Sequence, residues 1–180
     1  FIFPVLLLVL GRFTLASTHS QDMWDVKTPG FSLTVKSDDQ LINDMIYNAL
    51  KGTGGGTIDF GTRIWRIKKN HMIDAGEVTS CTLRGSKMWH QIECLTPEAG
   101  FSFHNFKNGT IDGVSLFAHP SVGGNIGMRF TGESTSRVIM NQVKVQGFKV
   151  GYLWENVNDV CLWTITNTHT TDCEVGFRCI

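Results

Sequence analysis

An all-β fold of stacked parallel coils, a β-helix closed at its N-terminal end by one α-helix, is predicted by three features of this sequence. A capped amphipathic helix, a glycine turn and a strand follow one another between Ser37 and Ile67. An aliphatic-glycine-large apolar triplet recurs downstream at coil length. The composition, with 19 glycines, 4 prolines and 12 phenylalanines among short aliphatic runs, favours many short strands over long helices.

The helix starts at Ser37, an N-cap with Gln40 three places on, which is a capping box. Leu41, Ile42, Met45, Ile46, Ala49 and Leu50 then recur at helical spacing, and Asp38 and Asp39 suit the positive N-terminal end. The run GTGGGT (52–57) cannot continue a helix. From Thr57 to Phe60 a strand places Ile58 and Phe60 on one face and Thr57 and Asp59 on the other. In the β-helix the helix would cap the open end of the stack, covering strand edges that would otherwise recruit other chains.

Beyond residue 100 the triplets Ile126-Gly127-Met128, Val150-Gly151-Tyr152 and Val175-Gly176-Phe177 recur at 24 and 25 residues. Each follows a strand-like run, Thr110 to Leu116, Val138 to Val145 and Val160 to Asn167, in which Val114, Val143 and Ile165 are expected to be equivalent. A period in the twenties with variable turns suits coils that add one strand per face at about 4.8 Å while the connections vary. One coil cannot bury its own interior, so stacking supplies the stability.

A chain of 180 residues, 42% of them hydrophobic, is expected to form one core. Residues 1–30 read as an N-terminal apolar segment and linker, with WDVKTPG (24–30) leading into the cap, and residues 31–180 as the N-terminal part of a β-helix domain. The apolar run FIFPVLLLVL is too short to span a bilayer. Followed by LGRFTLAS, it reads either as a clipped signal peptide or as a buried strand or interface segment. The chain opens on Phe1 and stops at Ile180 within a repeating pattern, so the β-helix is expected to be truncated at its C-terminus.

Sixteen basic and 16 acidic residues balance, which gives no electrostatic reason to propose nucleic acid or an anionic membrane as partner. Cys81, Cys94, Cys161, Cys173 and Cys179 form no CxxC pair, and the histidines are scattered singly, so no metal site is expected. Buried structural thiols are the preferred reading of the cysteines, with disulfides as the alternative. The glycine run at 52–56 precedes a strand and lacks a Lys-Ser/Thr ending, which excludes a phosphate-binding loop.

The opening block resembles the N-terminal part of the pectate-lyase-like superfamily, phage tailspikes included, in which an acidic helix precedes G-G-T-aliphatic-x-F-P-x-G-x-Y-x-I. Gly55, Gly56, Thr57, Ile58 and Phe60 match; Trp65 takes the tyrosine place and Ile67 the last aliphatic one, while Gly61 replaces the proline and Arg63 the glycine. TLRGS (82–86) is similar to the T-L-x-G that closes the first coil in that superfamily. The resemblance is closest in style to the tailspikes. It implies a right-handed parallel β-helix that binds, and by hydrolysis or elimination degrades, a surface or matrix polysaccharide, as an extracellular or virion-surface homotrimer. The alternative is a noncatalytic β-helix: an adhesin, a glycan-binding module or a particle structural protein. NGTIDG (108–113) resembles a strand opening of polygalacturonases, but their N-T-D, D-D and G-H-G phrases are absent and Arg66-Ile67-Lys68 lies in the wrong strand, so that assignment is declined.

Ligands of a β-helix are expected along its packed stack, on the outside. Glu155, Asp159 and Asp172 are the candidate catalytic carboxylates, because cleaving a glycosidic bond needs a general acid facing a nucleophile or base. Tyr152, Trp154, Trp163 and His169 are the candidate substrate-binding residues; for the two tryptophans, packing competes with sugar stacking. No metal ligand is assigned. A lyase mechanism would bring Ca²⁺ to the uronate and a basic residue to its C5 proton, for which Arg129, Arg137, Lys144, Lys149 and Arg178 are available without an identifying motif.

Overall fold

A computed structural model describes residues 26–28, 31–33, 35–76, 78–157 and 162–180. The chain divides into two compact units, Phe1–Val35 and Lys36–Ile180. In the first, strand β1 (Val26–Thr28) pairs antiparallel with β2 (Phe31–Leu33). The N-terminal apolar run and Pro29-Gly30 lie outside the described residues.

The second unit begins with helix α1 (Asp38–Leu50) and continues as five turns of three strands each. The first turn is β3 (Gly56–Asp59), β4 (Trp65–Ile67) and β5 (His71–Asp74). The second is β6 (Cys81–Arg84), β7 (Ile92–Cys94) and β8 (Ala99–His104). The third is β9 (Thr110–Asp112), β10 (Ser115–Ala118) and β11 (Ile126–Thr131). The fourth is β12 (Ile139–Asn141), β13 (Lys144–Gln146) and β14 (Val150–Glu155), and the fifth β15 (Thr164–Thr166), β16 (His169–Thr171) and β17 (Val175–Cys179). Corresponding strands stack in parallel into three five-stranded sheets, opened by β3, β4 and β5 in turn. This is the parallel β-solenoid the sequence predicts.

The capping box forms as expected: the Gln40 N–H donates to Ser37 Oγ at 3.3 Å and the Ser37 N–H to Gln40 Oε1 at 2.9 Å. Ile42, Ile46 and Ala49 face the core, and the two acidic residues of the first turn do more than suit the helix dipole. Asp38 Oδ2 accepts the Arg66 N–H at 2.7 Å, and Asp39 accepts the Lys68 N–H at 3.1 and 3.2 Å to its two oxygens. Both carboxylates are buried, and together they satisfy the outward-facing amides of Arg66 in β4 and of Lys68 just after it, on an edge where no described strand pairs. His71, also buried, bridges back to the helix through Asp39 Oδ1 (2.9 Å) and Asn43 Oδ1 (3.0 Å).

The triplets stack in the predicted register, Ile126 on Val150 on Val175 and Met128 on Tyr152 on Phe177. A fourth, Ala99-Gly100-Phe101, stands beneath them. Their glycines are sterically required: a Cβ on Gly127 would lie 2.3 Å from Val145 Cγ1 and 2.7 Å from the Gly151 carbonyl oxygen. Two residues beyond the triplets an aromatic stack forms, with Phe103 on Phe130 at 4.7 Å and Phe130 on Trp154 at 5.6 Å between ring centroids, and Trp154 and Tyr152 both pack on Phe177, at 5.7 and 4.9 Å. Each such pair adds about 0.5–1.5 kcal/mol to the burial of its area.

The runs Thr110 to Leu116 and Val138 to Val145 each break across two strands, and the described part of the third holds β15 alone, with β16 following it. Gly113, Gln142 and Asn167 take φ of 68°, 53° and 50°, and this left-handed residue turns the chain from the first sheet into the second. Ile165 is consequently in register with Met140 and Ile111, on the strand before that corner, and is not equivalent to Val143 after it. Among the described cysteines, Cys81, Cys94, Cys173 and Cys179 are free; burial holds the Cys81 thiol at about 11 and raises Cys94 further. Cys161 lies outside the described residues.

Candidate functional site

The sheet formed by β4, β7, β10, β13 and β16 carries a continuous polar and aromatic row on its outer face. Alternation dictates the row: Trp65, Ile67, Ile92, Cys94, Leu116 and Val145 point inward, so the residues between them point out. Arg66, Glu93, Phe117, Gln146 and Thr171 are stacked in register, and beside them Ser115, Lys144 and His169.

A loop from β6 to β7 leans over this face. Gln91, fully buried, anchors it by donating to the Gly61 carbonyl at 2.7 Å and accepting from the Ser86 N–H at 3.2 Å. The loop thereby holds out Trp89, 65% exposed, whose carbonyl accepts the Ser115 hydroxyl at 2.7 Å. Lys144 Nζ lies 3.6 Å from the centre of the indole ring. The next residue, His90, packs on the Phe117 ring at 4.6 Å and bonds Gln146 Oε1 through Nε2 at 3.1 Å. Gln146 in turn donates to Asp172 Oδ2 at 3.0 Å. At the start of the row Arg66 Nε donates to Glu93 Oε2 at 2.7 Å, and Glu93 Oε1 faces His119 Nε2 at 3.6 Å. An exposed aromatic plane, a cation and several hydrogen-bonding side chains thus converge along five strands, about 19 Å at ordinary strand spacing.

The residues picked from sequence are distributed otherwise. Tyr152 and Trp154 lie in the interior, 0% and 5% exposed, which removes them as sugar platforms: both point into the aromatic stack. Burial raises the Tyr152 phenol above its ordinary value. Trp163, half-buried, meets Phe130 and Trp154 edge-on at 4.9 and 5.5 Å and serves the same packing. Glu155 ends β14 on a different sheet and is bound by Arg129 through Nε at 2.8 Å and through Nη2. Asp172 occupies a left-handed corner, φ 54°, after β16, and His169 is exposed on that strand next to Lys144 in register. The pair His169 and Asp172 therefore shares the face described above, whereas Glu155 does not. Asp159 lies outside the described residues. Among the described residues no three His, Cys, Asp or Glu side chains gather to hold a metal ion, and no helix is long and apolar enough to cross a membrane.

Trp89, His90, Glu93 and Phe117 were not singled out in the sequence. The signal was the Trp89-His90 pair in a short polar loop between the T-L-R-G phrase and the Ile92 strand, where a core strand has no use for an exposed tryptophan. Comparison of the chain with protein-family models, with curated proteins and with solved structures found no match. Fold and face together define the class as a parallel β-solenoid with an aromatic and polar outer sheet.

Proposed function

We propose that this protein binds a polysaccharide along the outer face of the second sheet, in the manner of the tailspike branch of the pectate-lyase-like superfamily. The observation that carries the reading is Trp89, held out over the sheet with Lys144 against its ring and the His90, Gln146 and Asp172 chain beside it. An exposed aromatic plane stacks on the apolar face of a sugar ring, and the neighbouring side chains meet its hydroxyls. The resemblance of the opening block adds depolymerisation by hydrolysis or elimination, a secreted or virion-surface location and a homotrimer. For an eliminating enzyme it adds Ca²⁺, to which the described residues contribute no ligand cluster.

A second reading, a noncatalytic adhesin or glycan-binding module, is favoured by one specific arrangement. Glu155 is engaged by Arg129 on one sheet and Asp172 stands beside another, so these two do not flank one bond. Carboxylates that cleave glycosides stand about 5–9.5 Å apart across the scissile bond.

The test is incubation of the protein with acidic and neutral polysaccharides, following polymer length by size exclusion and unsaturated ends by ultraviolet absorbance. Shortening with new absorbance identifies a lyase, and shortening without it a hydrolase. Retention of a glycan without shortening identifies the binding module. Trp89→Ala is expected to weaken glycan retention at least tenfold; unchanged retention by that variant would move the site off this face.

A further inference from the structure

We infer that Ser121, His119 and Glu93 form a serine acyl-hydrolase centre, with an O-acyl ester as the chemical class of substrate. His119 follows β10 directly and Ser121 lies two residues on, in a turn closed by the Val122 and Gly123 amides on the His119 carbonyl at 3.0 and 3.3 Å. Ser121 Oγ stands 2.5 Å from His119 Nδ1, and the Ser121 backbone N–H donates to the same nitrogen at 3.2 Å. A nitrogen that accepts a backbone N–H carries a lone pair, which assigns the ring proton to Nε2. Nε2 is the atom that faces Glu93 Oε1, at 3.6 Å.

The turn alone would explain a serine near a histidine; the third member is not local. Glu93 comes from the preceding coil, is 12% exposed at its side chain, and is fixed by Arg66 Nε on its other oxygen. The tautomer is the one catalysis needs: an unprotonated nitrogen on the hydroxyl and an N–H toward a held carboxylate. Ser121 and His119 are both accessible, whereas a packing role would bury them.

In the step this supports, Ser121 Oγ attacks the acyl carbonyl carbon while its proton passes to His119 Nδ1. The carbon–oxygen bond of the ester then breaks, and the leaving alkoxide takes that proton and departs as the free alcohol. Water repeats the sequence on the acyl-serine: it attacks the carbonyl carbon while giving a proton to Nδ1, the acyl carbon–Oγ bond breaks, Ser121 Oγ takes that proton back, and the carboxylic acid leaves. His119 and Ser121 are the catalytic residues; Glu93 acts through His119 and is a positioning residue. The acyl carrier, an acylated hydroxyl of a glycan on the same face, rests on the binding reading above. The chemistry does not, because a small ester needs no glycan site.

The experiment uses the full chain with a fluorophosphonate probe and with p-nitrophenyl acetate, in parallel with an O-acetylated polysaccharide. The expected result is covalent labelling mapped to Ser121 and saturable ester hydrolysis. Ser121→Ala should abolish labelling, and His119→Gln should lower hydrolysis at least a hundredfold. Glu93→Gln should lower kcat about tenfold at unchanged KM, with recovery in Glu93→Asp. Absence of labelling on protein that retains its β-sheet circular dichroism, or hydrolysis equal in wild type and Ser121→Ala, overturns the proposal. Hydrolysis of the small ester without release of acetate from polysaccharide retains the centre and removes the glycan as its carrier.

Discussion

At the scale of single residues, the column Gly100, Gly127, Gly151 and Gly176 shows how one atom sets a fold's tolerance. A Cβ on Gly151 would stand 2.7 Å from Thr170 Cγ2 and 2.8 Å from the Gly176 carbonyl, so two neighbouring strands would have to give way. Overpacking of this kind costs about 1–3 kcal/mol. Gly127→Ala is therefore expected to lower the urea midpoint by that equivalent, and a midpoint unchanged within error would show that the sheets part freely. Gly127, Gly151 and Gly176 were readable because an aliphatic and a large apolar residue flank each of them at a fixed spacing, whereas Gly100 was placed by its register alone. Tyr152 and Trp154 were misplaced for the opposite reason. VGYLWE (150–155) is a nearly continuous apolar strand, and such a run carries no alternation from which inside and outside can be told.

At the scale of elements, helix α1 is joined to the stack by groups whose charge depends on pH. His71 is buried against Asp39 and Asn43 of the helix, with Lys69 nearby and the Phe101 ring at 5.8 Å. Burial lowers the His71 pKa below its ordinary value, against the opposing pull of Asp39. The unfolded chain then binds a proton that the folded chain resists. The contribution is present above about pH 6.5 and is lost as pH falls below it. Urea denaturation at pH 7.5 and 5.5 should show lower stability at the acid value, and His71→Gln should flatten that difference; an unaltered slope in the variant would assign the dependence elsewhere. The helix itself was legible from local signals, Ser37, Gln40 and the apolar spacing. Its partners on β4 and β5 were not, because no local pattern tells which amide a carboxylate will meet some thirty residues away.

For the whole solenoid, stability is close to a sum over turns and their neighbours, so its ends matter most. Asp38 and Asp39 occupy the amides of Arg66 in β4 and of Lys68 just after it, on an edge that an incoming strand would otherwise pair with. Replacing both by alanine removes charge-assisted hydrogen bonds worth about 1.5–3 kcal/mol each. The double variant is expected to unfold at lower urea and to self-associate in sedimentation velocity at micromolar concentration. A monomer as stable as wild type would mean that α1 covers the edge without these bonds.

The spacing between stacked strands of the first sheet is uneven: 25 residues from Ile58 to Leu83, 28 to Ile111, 29 to Met140 and 25 to Ile165. The strands hold their phase because the surplus residues are spent in the corners and connections between them. Selection can therefore lengthen or shorten one connection at a time without rewriting the interior, and a loop such as the one bearing Trp89 is free to diverge while the rungs beneath it stay fixed. The shape of this molecule and the dress of its outer face are inherited on separate parts of the chain.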